Sequence, residues 1–118
     1  MQRIEAIIRP EKILAVKEAL DALGYGGMTV TEVKGYGTSR GVVEEWQGKE
    51  FWIEFLPKIW LLMVVEDKDA QQVIDTICDN AATGDPGDGK IFVSDLRDVI
   101  RVRTRERGAD AITAKPVS

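Results

Sequence analysis

Ile59-Trp60-Leu61-Leu62-Met63-Val64-Val65 is a run of seven apolar residues without a polar interruption. It reads as a strand that starts at Lys58. A strand with one wet face alternates apolar and polar side chains. This one does not, so both of its faces are expected to be buried.

Downstream, Asp67 or Asp69 is placed to cap a helix, with Gln72 in the capping-box position three residues after Asp69. Val73, Ile77 and Ala81 form its apolar stripe, flanked by Ile74 and Cys78, and Gly84 ends it. Lys90 to Ser94 reads as a further strand, and Val99 to Arg103 as a short last one. Upstream, Arg3 to Arg9 is a strand with Ile4, Ala6 and Ile8 on its apolar face and Arg3, Glu5, Ile7 and Arg9 on the other. Pro10 suits the first turn of a helix to about Leu23, whose stripe is Ile13, Val16, Leu20 and Leu23. Gly24 stops it, and Met28 to Lys34 is a second strand. The order is βαβ, long loop, βαβ. This predicts an α+β, ferredoxin-like domain: an antiparallel sheet with both helices on one face. The helices can cover one face of Ile59–Val65. Other copies of the chain are the simplest cover for the second, and the C-terminal segment is the alternative.

The 118 residues suit one domain, and 44% hydrophobic with 31% charged residues is ordinary globular composition. The net charge of −4 argues against nucleic acid as the main partner. With no His, the chain has no Ser/His/Asp or Cys/His nucleophile system and no His-ligated metal site. One cysteine, Cys78, cannot form an internal disulfide, which fits a reducing cytoplasmic setting. The start, Met1-Gln2-Arg3-Ile4-Glu5, carries charges where a signal peptide has its apolar run, and no stretch is long enough for membrane insertion.

Three segments could carry chemistry. Thr83-Gly84-Asp85-Pro86-Gly87-Asp88-Gly89-Lys90 stands between a helix and a strand; its glycines allow backbone N–H groups to approach an anion, and Lys90 adds charge. Gly-Asp-Gly is also a common tight turn, and both readings stand at this point. Strand periodicity puts Arg101 and Arg103 on one face, suited to a polyphosphate unless carboxylates of the chain pair them. Tyr36 to Pro57 lacks helical periodicity, and loops of this length are usually functional. It interleaves charges with Trp46, Phe51, Trp52, Ile53 and Phe55, a pattern suited to docking on another protein; the other reading is that Trp52–Leu56 extends the next strand.

Ile4-Glu5-Ala6-Ile7-Ile8-Arg9-Pro10, Gly27-Met28-Thr29-Val30-Thr31-Glu32-Val33-Lys34-Gly35-Tyr36-Gly37, Phe55-Leu56-Pro57-Lys58, Gly87-Asp88-Gly89-Lys90-Ile91-Phe92-Val93 and Ile100-Arg101-Val102-Arg103-Thr104 resemble the nitrogen-regulatory PII proteins. The resemblance covers about residues 1–112 as a single domain without obvious gaps, and leaves 113–118 as a tail. It implies a homotrimer with ATP or ADP in clefts between subunits, and 2-oxoglutarate joining Mg-ATP in the sensing state. A T-loop, about residues 37–55 here, then controls a target, typically an ammonium transporter at the membrane or a nitrogen enzyme. By the same resemblance Gly87, Asp88, Gly89, Lys90, Arg101 and Arg103 hold phosphates. Ile7, Gly35, Tyr36, Gly37 and Val64 wall the adenine side, Thr29 hydrogen-bonds the base, and Lys58 meets the 2-oxoglutarate carboxylate.

The sequence departs from the family pattern at several positions. Thr38 and Ser39 stand where Arg-Gln is usual; Thr38 is counted with the nucleotide-binding residues by its position but lacks the Arg that partners phosphate, and Ser39 occupies the Mg-ligand position but is two heavy-atom positions shorter, so no metal ligand is assigned. Leu62 replaces a common Glu, a partner for Lys58. Phe51 replaces the tyrosine that is nucleotidylylated in many members, and Lys49 the serine phosphorylated in some, so neither modification can occur there. The expectation is a nucleotide-responsive regulator and not an enzyme. Its variant form reads adenine nucleotides or another small anion without 2-oxoglutarate. A small phosphatase on the same fold and a purely structural adaptor are the readings from other classes.

Overall fold

The structure, a computed structural model, describes residues 1–36, 43–46, 49–52 and 55–112. Its elements are β1 (Gln2–Ile8), a 3-10 turn (Pro10–Lys12), α1 (Ile13–Ala22), β2 (Thr29–Gly35), β3 (Val43–Trp46), β4 (Lys49–Trp52), β5 (Leu56–Val65), α2 (Asp67–Ala81), β6 (Gly89–Asp95) and a short α3 (Ala109–Ile112). The main sheet has the order β2-β5-β1-β6, with every neighbouring pair antiparallel. Each βαβ unit therefore places its second strand on the outside of the sheet, which is the ferredoxin-like arrangement.

The alternation of β1 carries straight into burial. Ile4, Ala6 and Ile8 are buried with Ile59, Leu61, Met63 and Val65 of β5, and the stripes Val16–Leu20 and Val73–Ile77–Ala81 close over them. The uniform run of β5 resolves into two faces. Its odd-numbered residues from Ile59 to Val65 belong to the core, whereas Trp60, Leu62 and Val64 remain half-buried on the opposite face. Within one chain, then, one face of β5 is buried and the other half-buried; of the C-terminal segment expected as a cover, residues 113–118 lie outside the described residues.

Four local expectations change. Leu23 is 45% exposed and leaves the α1 stripe, because the helix ends at Ala22 and Gly24 turns the chain at φ +90°. The N-cap of α2 is Glu66, not Asp67 or Asp69. Asp67 instead binds the N-terminal ammonium at 3.0 Å and the Gln2 amide at 3.0 Å, while Gln72 accepts a hydrogen bond from the Tyr25 hydroxyl at 3.1 Å. The long loop contains a hairpin, β3 with β4, in the register Val43↔Trp52 to Trp46↔Lys49; the next strand begins at Leu56.

The fourth change matters for the site. Val99–Arg103 is not a strand. Asp98 accepts the Val99 N–H at 2.8 Å and the Arg107 guanidinium at 2.8 Å, Gly108 N–H donates to Val99 O, and Ile100 bridges Arg107. Arg105 takes φ +63° at the bend. The backbone groups of Val99 and Arg101 bond within the segment's own turn, to Arg105, Glu106 and Gly108, in place of a sheet partner. Arg101 and Arg103 are consequently not neighbours on one strand face.

Candidate functional site

At one end of the sheet the register Ile59↔Ile8↔Gly89 is the last full row across β5, β1 and β6. The next residues outward are Lys58, Arg9 and Asp88. This sheet end opens into a cavity of about 500 Å³ lined by Ile7, Gly35, Tyr36, Lys58, the loop Asp85–Lys90 and Phe92. Two strand ends and one glycine turn therefore converge from segments that are far apart in sequence.

Gly89 explains how the turn can lie so close to β1. Its φ is +104°, and a Cβ built there would lie 1.7 Å from the Ile7 carbonyl oxygen. Only glycine permits this approach. The preceding loop is organised around one carboxylate. Asp88 Oδ2 accepts the N–H groups of Thr83 at 2.8 Å and Gly84 at 2.9 Å. Its Oδ1 accepts Arg9 Nε at 3.0 Å and the Thr83 hydroxyl. These bonds, those from Thr83 first, hold the Asp88 carboxyl far below the usual carboxylate range. The carboxylate thus faces its own loop, and what Asp88 offers a ligand is its backbone.

The sign of that shift gives a pH expectation. A depressed folded pKa means that the loop's stabilisation is complete above the ordinary Asp value of about 4 and is lost progressively as pH falls from there through the lower folded value. An NMR titration of the Asp88 carboxyl carbon should therefore show no midpoint near pH 4. A midpoint there would mean that the carboxylate is not held by Thr83, Gly84 and Arg9.

Lys58 is buried at 9% exposure, and its ammonium donates to the Gly87 carbonyl at 2.6 Å. Burial, then the neighbouring Arg9 guanidinium, lowers its pKa; Glu11 and Asp88 act the other way. A buried ammonium beside a glycine turn, with Lys90 at the rim, makes this cavity receptive to an anion. Gly35 fits closely beside it, since a Cβ there would come within 3.1 Å of Lys58 Cγ. Tyr36 and Phe55 stand at the base of the long loop with ring centroids 5.7 Å apart.

Of the residues read from sequence, this cavity brings together Ile7, Gly35, Tyr36, Lys58, Gly87, Asp88, Gly89 and Lys90. It does not contain Val64 or Arg101. Both line a second cavity of about 580 Å³, with Gly24–Gly27, Asp69 and residues of α3. There Arg101 donates to the Asp110 carbonyl at 3.1 Å and faces the Glu106 carboxylate at 3.8 Å. Thr29 is exposed on β2 opposite Leu62, and Arg103 is exposed in the closing turn. Gly37, Thr38 and Ser39 lie outside the described residues, as does any side-chain role for Trp46 or Phe51. The sequence reading missed Arg9 and Phe92 as members or supports of this site, and it included Thr83 in the candidate turn without giving it a role. Arg9 was legible only as a charge on the wet face of β1; its partner appears once β6 is placed beside that strand.

Comparison with known proteins adds an independent line. A family model described as "Nitrogen regulatory protein P-II" matches residues 1–106. "Nitrogen regulatory protein P-II 1" of Methanothermobacter thermautotrophicus is 49% identical over 112 residues, covering 95% of this chain and 97% of that protein. "Nitrogen regulatory protein P-II" of Rhizobium meliloti is 51% identical over 112 residues, covering 95% of this chain and all of that protein. No helix among the described residues is long and apolar enough to cross a membrane.

Proposed function

This chain belongs to the nitrogen regulatory P-II family, and from that premise we propose that it is a cytoplasmic, homotrimeric signalling protein that binds ATP or ADP between its chains. The loop at about 37–55 then presents itself to a target protein, such as an ammonium transporter or an enzyme of nitrogen metabolism. The role is regulatory and not enzymatic: nucleotides bind one loop state better than another and so shift which targets are engaged.

One observation carries the reading. The anion-receptive turn with Lys58 and Lys90 lies in one cavity of the chain, and Arg101 lies in another that shares no lining residue with it. Each is half of a polyphosphate site. A second copy, docked through the half-buried face of Trp60, Leu62 and Val64, supplies the missing half. Phosphates would be held by the Gly87–Lys90 turn of one chain and by Arg101 and Arg103 of the next. Ile7, Tyr36 and Val64 would flank the base.

The expected result is that Arg101→Ala and Arg103→Ala each weaken ATP by about 1.5–3 kcal/mol, the range for hydrogen bonds to charged groups. A chain carrying Lys90→Ala and a chain carrying Arg101→Ala should each bind poorly alone. Reassembled together in equal amounts, they should recover high-affinity binding at about a quarter of the sites, because each site draws one half from each of two neighbours. No recovery in reassembled trimers, or a protein that remains monomeric, would overturn the reading.

A second reading is favoured by Ser39 and Leu62: a sensor of ATP and ADP, or of another small anion, that has no 2-oxoglutarate response. Lys58 still offers a buried cation to a carboxylate, which keeps 2-oxoglutarate with Mg-ATP as the first expectation. Calorimetry with Mg-ATP, with and without 2-oxoglutarate, separates the two. Absence of a 2-oxoglutarate heat selects the second.

A further inference from the structure

Arg9 stands directly before Pro10, at φ −66° and ψ 139°. A residue before proline is pushed into this extended region, so the backbone stays extended one residue past the last sheet row and Arg9 does not enter the helix. Its planar fork reaches two acceptors of one loop: Nε meets Asp88 Oδ1 at 3.0 Å, and the terminal nitrogen Nη2 meets the Pro86 carbonyl at 2.9 Å. The same Asp88 carboxylate gathers the N–H groups of Thr83 and Gly84 and the Thr83 hydroxyl, while the Thr83 oxygen accepts Asp85 N–H at 3.2 Å. The carboxylate accepts four donors, two on each oxygen, which uses its full capacity.

Two consequences follow for an anion in the adjoining cavity. An aspartate within an anion-binding turn would repel the ligand; the guanidinium beside it offsets that charge. And because a trans peptide points its C=O and the following N–H in opposite directions, fixing the Pro86 carbonyl on Arg9 fixes the direction of the Gly87 N–H. We propose that Arg9 is a positioning residue of the anion site. It holds the Thr83–Gly89 turn in its ligand-ready form through Asp88 and Pro86, and does not itself grip the ligand. A lysine cannot replace it fully, since one ammonium lacks the rigid fork that spans both acceptors.

This inference rests on the nucleotide reading for its ligand, but its first test needs no ligand. In ligand-free protein, amide hydrogen exchange at Thr83 and Gly84 should accelerate at least tenfold in Arg9→Ala and less in Arg9→Lys. In the same variants ATP affinity, measured by calorimetry, should fall roughly tenfold and severalfold respectively. Asp88→Asn should show the same exchange change. The double variant Arg9→Ala/Asp88→Asn should lose no more affinity than the worse single one, because both remove one device.

Strictly additive affinity losses would make Arg9 a direct ligand contact and overturn the proposal. So would unchanged exchange at Thr83 and Gly84 in both Arg9 variants. Failure of the wild-type protein to bind any adenine nucleotide would instead sink the nucleotide reading, and exchange alone would still decide the positioning role. If Arg9→Ala does not fold, Arg9→Lys carries the test.

Discussion

Gly89→Ala is expected to destabilise the protein by roughly 3–5 kcal/mol and to remove the anion binding proposed for the cavity. The new Cβ would lie 1.7 Å from the Ile7 carbonyl oxygen and 2.8 Å from its carbon, both backbone atoms in a strand that cannot swing aside. At φ +104° the residue is also strained for any side chain. Positive-φ strain alone costs about 1–3 kcal/mol; the clash adds the separation of β6 from β1 at the Ile8↔Gly89 pair. Gly84→Ala is the control. Its φ is +91°, but nothing lies within 4 Å of the added carbon, so only the backbone strain of about 1–2 kcal/mol should remain. Urea unfolding at one fixed protein concentration measures both. A Gly89→Ala protein within about 1 kcal/mol of wild type would refute the close approach of the turn to β1.

Leu61→Ala is the second large effect, at about 3–5 kcal/mol, the usual loss for a fully buried leucine that leaves a cavity. Leu61 is 0% exposed between the sheet and both helices. Leu62, its neighbour in sequence, points the other way and is only half-buried in the single chain, between Glu5 and Thr29 in the register. In an isolated chain Leu62→Ala should cost about 1 kcal/mol or less, since little apolar area leaves the core. In an assembly that covers this face, the cost rises toward that of Leu61 and depends on protein concentration. A small, concentration-independent value for Leu62→Ala would remove the expected cover and the shared site with it. A small value for Leu61→Ala would contradict the packing of the helices on β5.

The two βαβ units were legible because their signals are local. Ile4-Ala6-Ile8 alternates at the strand period, Val73, Ile77 and Ala81 repeat at the helix period, and Gly24 and Pro10 punctuate the ends. The C-terminal segment was misread for a local reason as well. Alternation in Ile100-Arg101-Val102-Arg103 resembles a strand, but the hydrogen bonds of Asp98, Arg107 and Gly108 close it into a turn, and no alternation records that competition. The β3–β4 hairpin lacked a turn signature strong enough to be read ahead of the structure.

By itself the sequence determined the ferredoxin-like order of elements and the family, and it singled out the glycine turn and Lys90 as a candidate anion site without deciding between that and a plain tight turn. Only the tertiary structure decided that Lys58, Arg9 and Asp88 form one row at the end of the sheet, that the Asp88 carboxylate faces inward, and that Arg101 belongs to a different cavity. The physical reason is range. Helix and strand periods are set by neighbours a few residues apart, whereas Arg9 meets Asp88 across 79 positions of chain, through a register fixed by the packing of the whole sheet.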